Sequence, residues 1–267
     1  MSAGAESTTS TSAFDRVVFG VDHSEAGLAA ARVAGLVAAP SGQLTLVSVN
    51  DPSVAVHAGW AMTRVLEELG DEARSALRRG RDEAEALHAL QTRLLDGDPL
   101  HNLLAEIARQ DATTVVVGSH GLSRATGIAL GAVSTYLLHE APCSVLIARG
   151  TIDRDRWPRR IVVGVDGSSD SAAAMAAARE LGSRFRAGVR AIVATKDSHV
   201  DLEAARRIAP ECEEHEAGAL DALNVASESS DLVLVGSRGL HGLRALGSLS
   251  ERIAHEARCS TLVVRTV

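Results

Sequence analysis

The sequence predicts an α/β chain of two tandem halves, each a doubly wound, mostly parallel five-stranded sheet with flanking helices. Three observations carry this. First, blocks recur in the same order: RVVFGVDHS (Arg16 to Ser24) with RIVVGVDGS (Arg160 to Ser168), TVVVGSHGL (Thr114 to Leu122) with LVLVGSRGL (Leu232 to Leu240), and LLHEAPCSVLIAR (Leu137 to Arg149) with IAHEARCSTLVVR (Ile253 to Arg265). Ordered self-similarity of this kind marks a duplication. Second, short valine-rich runs alternate with alanine- and leucine-rich helical segments, as in parallel strands joined by crossover helices. Third, glycines and an aspartate gather where apolar runs end, and such sheets bind ligands at the carboxyl ends of their strands.

In the first half RVVFGV is a strand buried on both faces. SEAGLAAARVAGLVA is a helix with Ser24 as its candidate N-cap. QLTLVSV alternates and forms the second strand. AMTRVLEELGDEARSALRRGRDEAEAL has apolar residues at three- and four-residue spacing, with Gly70 a candidate break. LQTRLLDGDPLHNLLAEIARQ divides into a third strand, a turn at DGDP, and a helix with Asp98 at N-cap and Pro99 at N1. TTVVVGS, GAVSTYLLHEA and CSVLIAR supply the fourth strand, fourth helix and fifth strand. The second half repeats the scheme but is 26 residues shorter between its first two blocks, and two shorter again in the glycine loop. The missing segment corresponds roughly to Asp51 to Gly80. The expected organisation is a Ser/Thr/Ala-rich disordered tail (residues 1–13), a first domain (14–150), a polar linker (151–158) and a shorter second domain (159–267).

Composition narrows the chemistry. Hydrophobic residues make up 46% of the 267, enough for a packed core, but aromatics only 2%, so alanine, valine and leucine must fill it. A net charge of −7 without a basic run speaks against a nucleic-acid or anionic-membrane partner. No apolar run is long enough to span a membrane and no signal peptide opens the chain, so a cytoplasmic location is expected. Of 27 basic residues one, Lys196, is lysine, which nearly removes lysine phosphate clamps and Schiff bases from consideration. Cys143, Cys212 and Cys259 lack metal or disulfide spacing and suit a reducing compartment, with Cys143 and Cys259 read as small buried hydrophobes. Ser134 and Ser250 each precede a histidine, His139 and His255, by five residues. That is the wrong helical spacing for a direct pair, and a GxSxG elbow is absent, so these histidines are assigned to a helix surface or an interface. His57 and Trp60 lie in the stretch unique to the first half, as lid or as loop packing.

Taken together, the repeated aspartates and glycine loops resemble the universal stress protein family in its tandem form, from about Arg16 onward. The resemblance implies a Rossmann-like fold and ATP, with or without Mg2+, as ligand. Its loop pattern, G-x2-G-x9-G-[ST], is met in the first half by Gly118, Gly121 and Gly131 at the right spacing, but Ala132 stands at the hydroxyl position. In the second half Gly236, Gly239 and Gly247 are followed by Ser248, with the loop two residues short. Each loop opens onto a helix, where bare amides and the helix dipole favour an anion. The expected cradle is therefore the backbone at Gly121, Gly131 and Ala132, and at Gly239, Gly247 and Ser248, with Arg238, Arg244 and Arg124 as mobile cations. By resemblance Asp22 and Asp166 contact ribose or a phosphate-bound metal, and Val49 and Thr195 meet the adenine edge. Val21, Val133, Ser134, Val165, Leu249 and Ser250 flank these positions. Asp22 and Asp166 have N-cap or Asx-turn duty as their alternative reading.

Two functions of different classes remain. One is an ATP-binding stress or regulatory protein acting by conformation or partner binding, with at most slow hydrolysis. The other is an interaction scaffold whose glycine loops have degenerated. An adenylate-forming enzyme is disfavoured, since no SGGxDS loop is present. CSVLIAR and CSTLVVR end their halves as apolar strands at a sheet edge, which invites them to pair with each other. A homodimer or a protein partner stays open.

Overall fold

The computed structural model describes residues 12–53, 62–84, 90–120, 130–197, 199–237 and 248–266. The first half runs β1 (Arg16–Gly20), α1 (Glu25–Val37), β2 (Gln43–Asn50), α2 (Met62–Ala84), β3 (Leu90–Asp96), α3 (Pro99–Arg109), β4 (Thr114–Gly118), α4 (Ala132–Glu140) and β5 (Ser144–Ala148). The second runs β6 (Arg160–Gly164), α5 (Ser169–Phe185), β7 (Gly188–Ala194), α6 (Leu202–Ile208), β8 (Glu213–His215), α7 (Ala219–Ser227), β9 (Leu232–Gly236), α8 (Leu249–Glu256) and β10 (Ser260–Val264). Every expected alternation of strand and helix is present. The contraction of the second half falls where the offsets put it: α2 has 23 residues, its counterpart α6 has seven.

The two five-stranded sheets merge. Their order is β3-β2-β1-β4-β5-β10-β9-β6-β7-β8, all parallel except the central β5–β10 pair, where Leu146 lies opposite Leu262. Both central strands are buried along their full length, so the apolar edges expected from their sequences are covered by each other. Strand alternation feeds two cores. Phe19, Val116 and Val163 face α1, α2 and α5; Val18, Val115 and Val162 face α3, α4, α7 and α8.

Three arginines stitch the halves. Arg149, after β5, donates to the carbonyls of Ala254, His255 and Ala257 at the end of α8. In mirror relation Arg265, after β10, donates to the Leu138 carbonyl in α4. Arg184 of α5 reaches the carbonyls of Leu36, Val37 and Ala38, closing the end of α1. These are the carbonyls a helix leaves without partners.

Several expectations change. Gly70 does not break α2, which runs through it as one helix. A glycine costs ~1 kcal/mol in a helix interior, a small penalty beside the packing of buried Ala73, Ala76 and Ala84. The connecting segment is more than a polar tether: Ile152 and Trp157 are buried, and the Trp157 indole donates to the Asp231 carbonyl at 3.2 Å. At the other end Ser12, inside the expected tail, donates its hydroxyl to Glu180 of α5 at 2.7 Å.

Glu83, near the end of α2, joins these parts electrostatically. Arg32 of α1 binds it through Nε at 2.7 Å and Arg154 of the connector through Nη2 at 3.0 Å. The hydrogen bond from Arg32, with the nearby charge of Arg154, holds the Glu83 carboxyl below its ordinary value despite opposing burial. A lowered folded-state pKa contributes stability above the unfolded value, and that contribution is lost as pH falls through the folded one. Denaturant midpoints of Glu83→Gln should therefore fall below wild type at pH 7, and the two should converge as pH drops beneath about 4.5. A gap that persists into acid would mean the ion pairs contribute nothing.

Candidate functional site

Strand order in each half reverses once, between β1 and β4 and between β6 and β9. Crossovers leave to opposite sides of the sheet there, which opens a crevice beyond the strand ends. Both halves have one. The first cleft, about 630 Å³ with its open mouth, is lined by Gly20, Val21, Asp22, Gly27, Val47, Val49, Pro99, Leu103, Val117, Gly118, His120, Val133 and Ser134. The second, about 760 Å³, is lined among others by Val165, Asp166, Asp197, His199, Val200, Ala219, Leu223, Gly236, Ser237, Ser248, Leu249 and Ser250.

Most expected residues converge. Val21, Asp22, Val49, Gly118, Val133 and Ser134 share the first cleft, and Val165, Asp166, Gly236, Ser248, Leu249 and Ser250 the second. Gly131 is the N-cap of α4 and Ala132 its first residue, just behind the lining. Gly121, Arg124, Arg238, Gly239, Arg244 and Gly247, with His57 and Trp60, lie outside the described residues. One position is corrected. Gly20 pairs with Val47 and Gly164 with Ile192, so the register partner of Val49 is Ala194, which lines the cleft; Thr195 is one residue further on, and it is not a lining residue. Its backbone N–H and hydroxyl both go to the His215 carbonyl.

The aspartates have a structural duty. Asp22 Oδ1 accepts from the amide and hydroxyl of Ser24, and Asp166 Oδ1 from those of Ser168, so both close Asx-turns at the starts of α1 and α5. Ser24 and Ser168 in turn cap those helices. Both readings of the sequence thus meet in one residue: one carboxylate oxygen holds the turn while the side chain lines the cleft.

The first glycine of each loop also has a packing role. A Cβ on Gly118 would lie 2.5 Å from the Ala26 carbonyl carbon, and one on Gly236 2.6 Å from that of Asp170. Helices α1 and α5 press against the ends of β4 and β9 there, and only glycine fits.

At the opposite wall the two clefts differ. Ser248 caps α8 by accepting the Glu251 N–H, and its hydroxyl lies 3.1 Å from that of Ser250. In the first cleft Ala132 brings no hydroxyl, and the Ser134 hydroxyl is committed to the Gly118 carbonyl at 2.7 Å. Neither serine meets the histidine five residues on. His139 Nε2 instead contacts Glu251 Oε1 across the seam at 3.0 Å, and His255 Nδ1 accepts the Leu130 N–H. Burial pushes the His255 ring toward neutrality, the Glu251 carboxylate opposing. Burial likewise pushes the thiols of Cys143 and Cys259 up to about 12, as inert core residues.

Leu103 and Leu223, absent from the expected set, floor the two clefts. Their signal was in the sequence: each sits one helical turn into the helix beginning at Pro99 or Ala219. Asp197 and His199 carried no comparable signal, because they lie in a connector, between β7 and α6, whose sequence does not repeat that of the β2–α2 connector.

Fold and clefts together define a Rossmann-like α/β protein with a duplicated ligand-sized crevice. The universal stress protein family profile matches residues 13–149 and 210–265, which is most of the chain. A universal stress protein of Mycolicibacterium smegmatis is 30% identical over 294 aligned positions, spanning 93% of this chain and 96% of that protein. Universal stress protein Rv2623 of Mycobacterium tuberculosis is 32% identical over 185 positions, a match that spans 58% of this chain and 62% of the relative's length. The crystal structure of a universal stress protein from Archaeoglobus fulgidus superposes with a TM-score of 0.72 over 94% of this chain and 98% of that one, at 20% identity. The chain belongs to the universal stress protein family. Among the described residues no helix is long and apolar enough to cross a membrane.

Proposed function

We propose that both clefts are nucleotide sites and that the protein is an ATP-binding regulator, acting through nucleotide-dependent conformation or partner choice rather than fast turnover. The observation that carries this reading is the duplicated crevice, with an aspartate after the first strand of each half and a helix start beyond the last. The second cleft is the better equipped at its phosphate end, where Ser248, Ser250 and the first turn of α8 bring hydroxyls and bare amides together. Phosphates would seat there, ribose hydroxyls would reach Asp166, and the base would lie over the end of β7. A Mg2+ ion would enter with the phosphates, as this cation is usually held.

Acid denaturation of the purified chain followed by anion-exchange chromatography tests the reading. ATP is expected among the released nucleotides, near one equivalent per occupied cleft. An empty supernatant, together with flat calorimetric titrations with ATP, would leave the scaffold reading in its place.

A further inference from the structure

In the second cleft the strand order β9-β6-β7 sets three stations side by side, about 4.8 Å apart strand to strand. Beyond β9 stand Ser248 and α8, beyond β6 stands Asp166, and beyond β7 stands Asp197. A nucleotide with its phosphates at the first station and ribose at the second brings its base to the third. There one carboxylate stands among apolar neighbours, Ile192, Ala194, Val200 and Leu223. Asp197 Oδ2 accepts the N–H of Ala219, the first residue of α7, at 3.0 Å, so a carboxylate is fixed in the wall of the cleft. The loop holding it is itself tied down, since the Asp201 N–H bonds to the Asp166 carbonyl at 3.0 Å.

The first cleft handles the same helix start differently. Asp98 caps α3 from its own N-cap position, binding the His101 N–H at 2.7 Å; it is exposed and does not line the cleft. The base end there is Val47, Val49, Pro99 and Leu103. In the second half the N-cap is Gly218, which has no side chain to cap with, and the duty has passed to Asp197 from across the crevice. That exchange is what brings a carboxylate to the base.

A carboxylate only accepts hydrogen bonds. Guanine presents two adjacent donors, N1–H and the N2 amino group, whereas adenine sets the lone pair of N1 beside its single amino group. A carboxylate therefore pairs with the first edge and repels part of the second. His199, in the same lining, supplies a ring N–H of the kind that guanine O6 accepts. We infer that Asp197 makes the second cleft selective for guanine nucleotides, while the first cleft, apolar at that end, takes ATP. This rests on the reading of both clefts as nucleotide sites.

The test is calorimetric titration of the full chain with GTP and with ATP, each alone and with the other in excess. One site should prefer GTP by ~10-fold or more, the scale of a hydrogen bond to a charged group. Asp197→Asn keeps an oxygen for the Ala219 N–H, and asparagine caps as well as aspartate, but it turns a donor toward the base. The GTP preference of that site should collapse by ~10-fold while the melting temperature holds. Ala219→Pro serves as a second variant: proline is at home at N1, as Pro99 shows, and Gly218 (φ −71°, ψ 149°) already has the extended backbone proline requires before it. It deletes the amide that fixes Asp197 and should erode the preference with the carboxylate intact. An unchanged GTP-to-ATP ratio in both variants, or ATP winning at both sites, would overturn the inference and leave the nucleotide reading standing. Absence of binding by either nucleotide would overturn both.

Discussion

Gly236→Ala is expected to destabilise the protein by about 1–3 kcal/mol, the usual cost of forcing an extra carbon into a filled interior. The added Cβ would meet the Asp170 carbonyl carbon and Cβ, each at 2.6 Å, and the Asp170 oxygen at 2.8 Å. These atoms belong to the first turn of α5, so relief requires the helix to retreat from β9. Asp170 is itself buried, with Oδ1 accepting the Thr266 hydroxyl at 2.7 Å, so that retreat would also strain the contact with the end of the chain. For a chain of this size the melting temperature should fall on the order of 5 °C, in the absence of any nucleotide. Gly118→Ala should behave alike, since its Cβ would lie 2.5 Å from the Ala26 carbonyl carbon. Wild-type melting in both variants would return these glycines to the ligand-approach role that the loop pattern alone suggests.

How far the sequence reached depends on the kind of signal each residue leaves. The duplicated fold was legible because three blocks recur in order, and the β5–β10 seam because two mostly apolar strands end their halves. Gly70 misled because intrinsic propensity is a weak local term, outweighed when the flanking periodicity supplies a buried face on both sides. Trp157 was hidden by its neighbours: a single large apolar residue in GTIDRDRWPR does not shift the composition of a segment, but it buries where it docks. Thr195 follows a continuous apolar run, Ala191 to Ala194, where a one-residue slip leaves the pattern recognisable; the pairing with β6 resolves it in favour of Ala194. Asp197 is the instructive omission. Comparison of repeats finds what both halves share, whereas Asp197 fills in the second half, from across the crevice, a capping duty that Asp98 fills locally in the first.

Replacing Arg149 by alanine is expected to cost about 2–4 kcal/mol, because three carbonyls lose a charged donor at once. The side chain crosses from the end of β5 to the last turn of α8, where it serves Ala254 and His255 at 3.0 and 3.2 Å and also Ala257. Desolvation lowers its pKa, with Cys259 and Arg258 as lesser influences, and the half-buried guanidinium is held by those acceptors and the helix dipole behind them. Arg149→Lys should recover only part of the loss, since one ammonium cannot span acceptors on three residues in the way a planar guanidinium does. Arg265, on the far side of the seam, ties β10 to α4 through the Leu138 carbonyl, and residues of α4 and α8 line the two clefts, so the relative placement of the clefts depends on these clasps. Thermal melts of the Ala and Lys variants decide the point. If both coincide with wild type, water caps α8 adequately, and the joint between the halves is held by the β5–β10 pairing and its apolar cover alone.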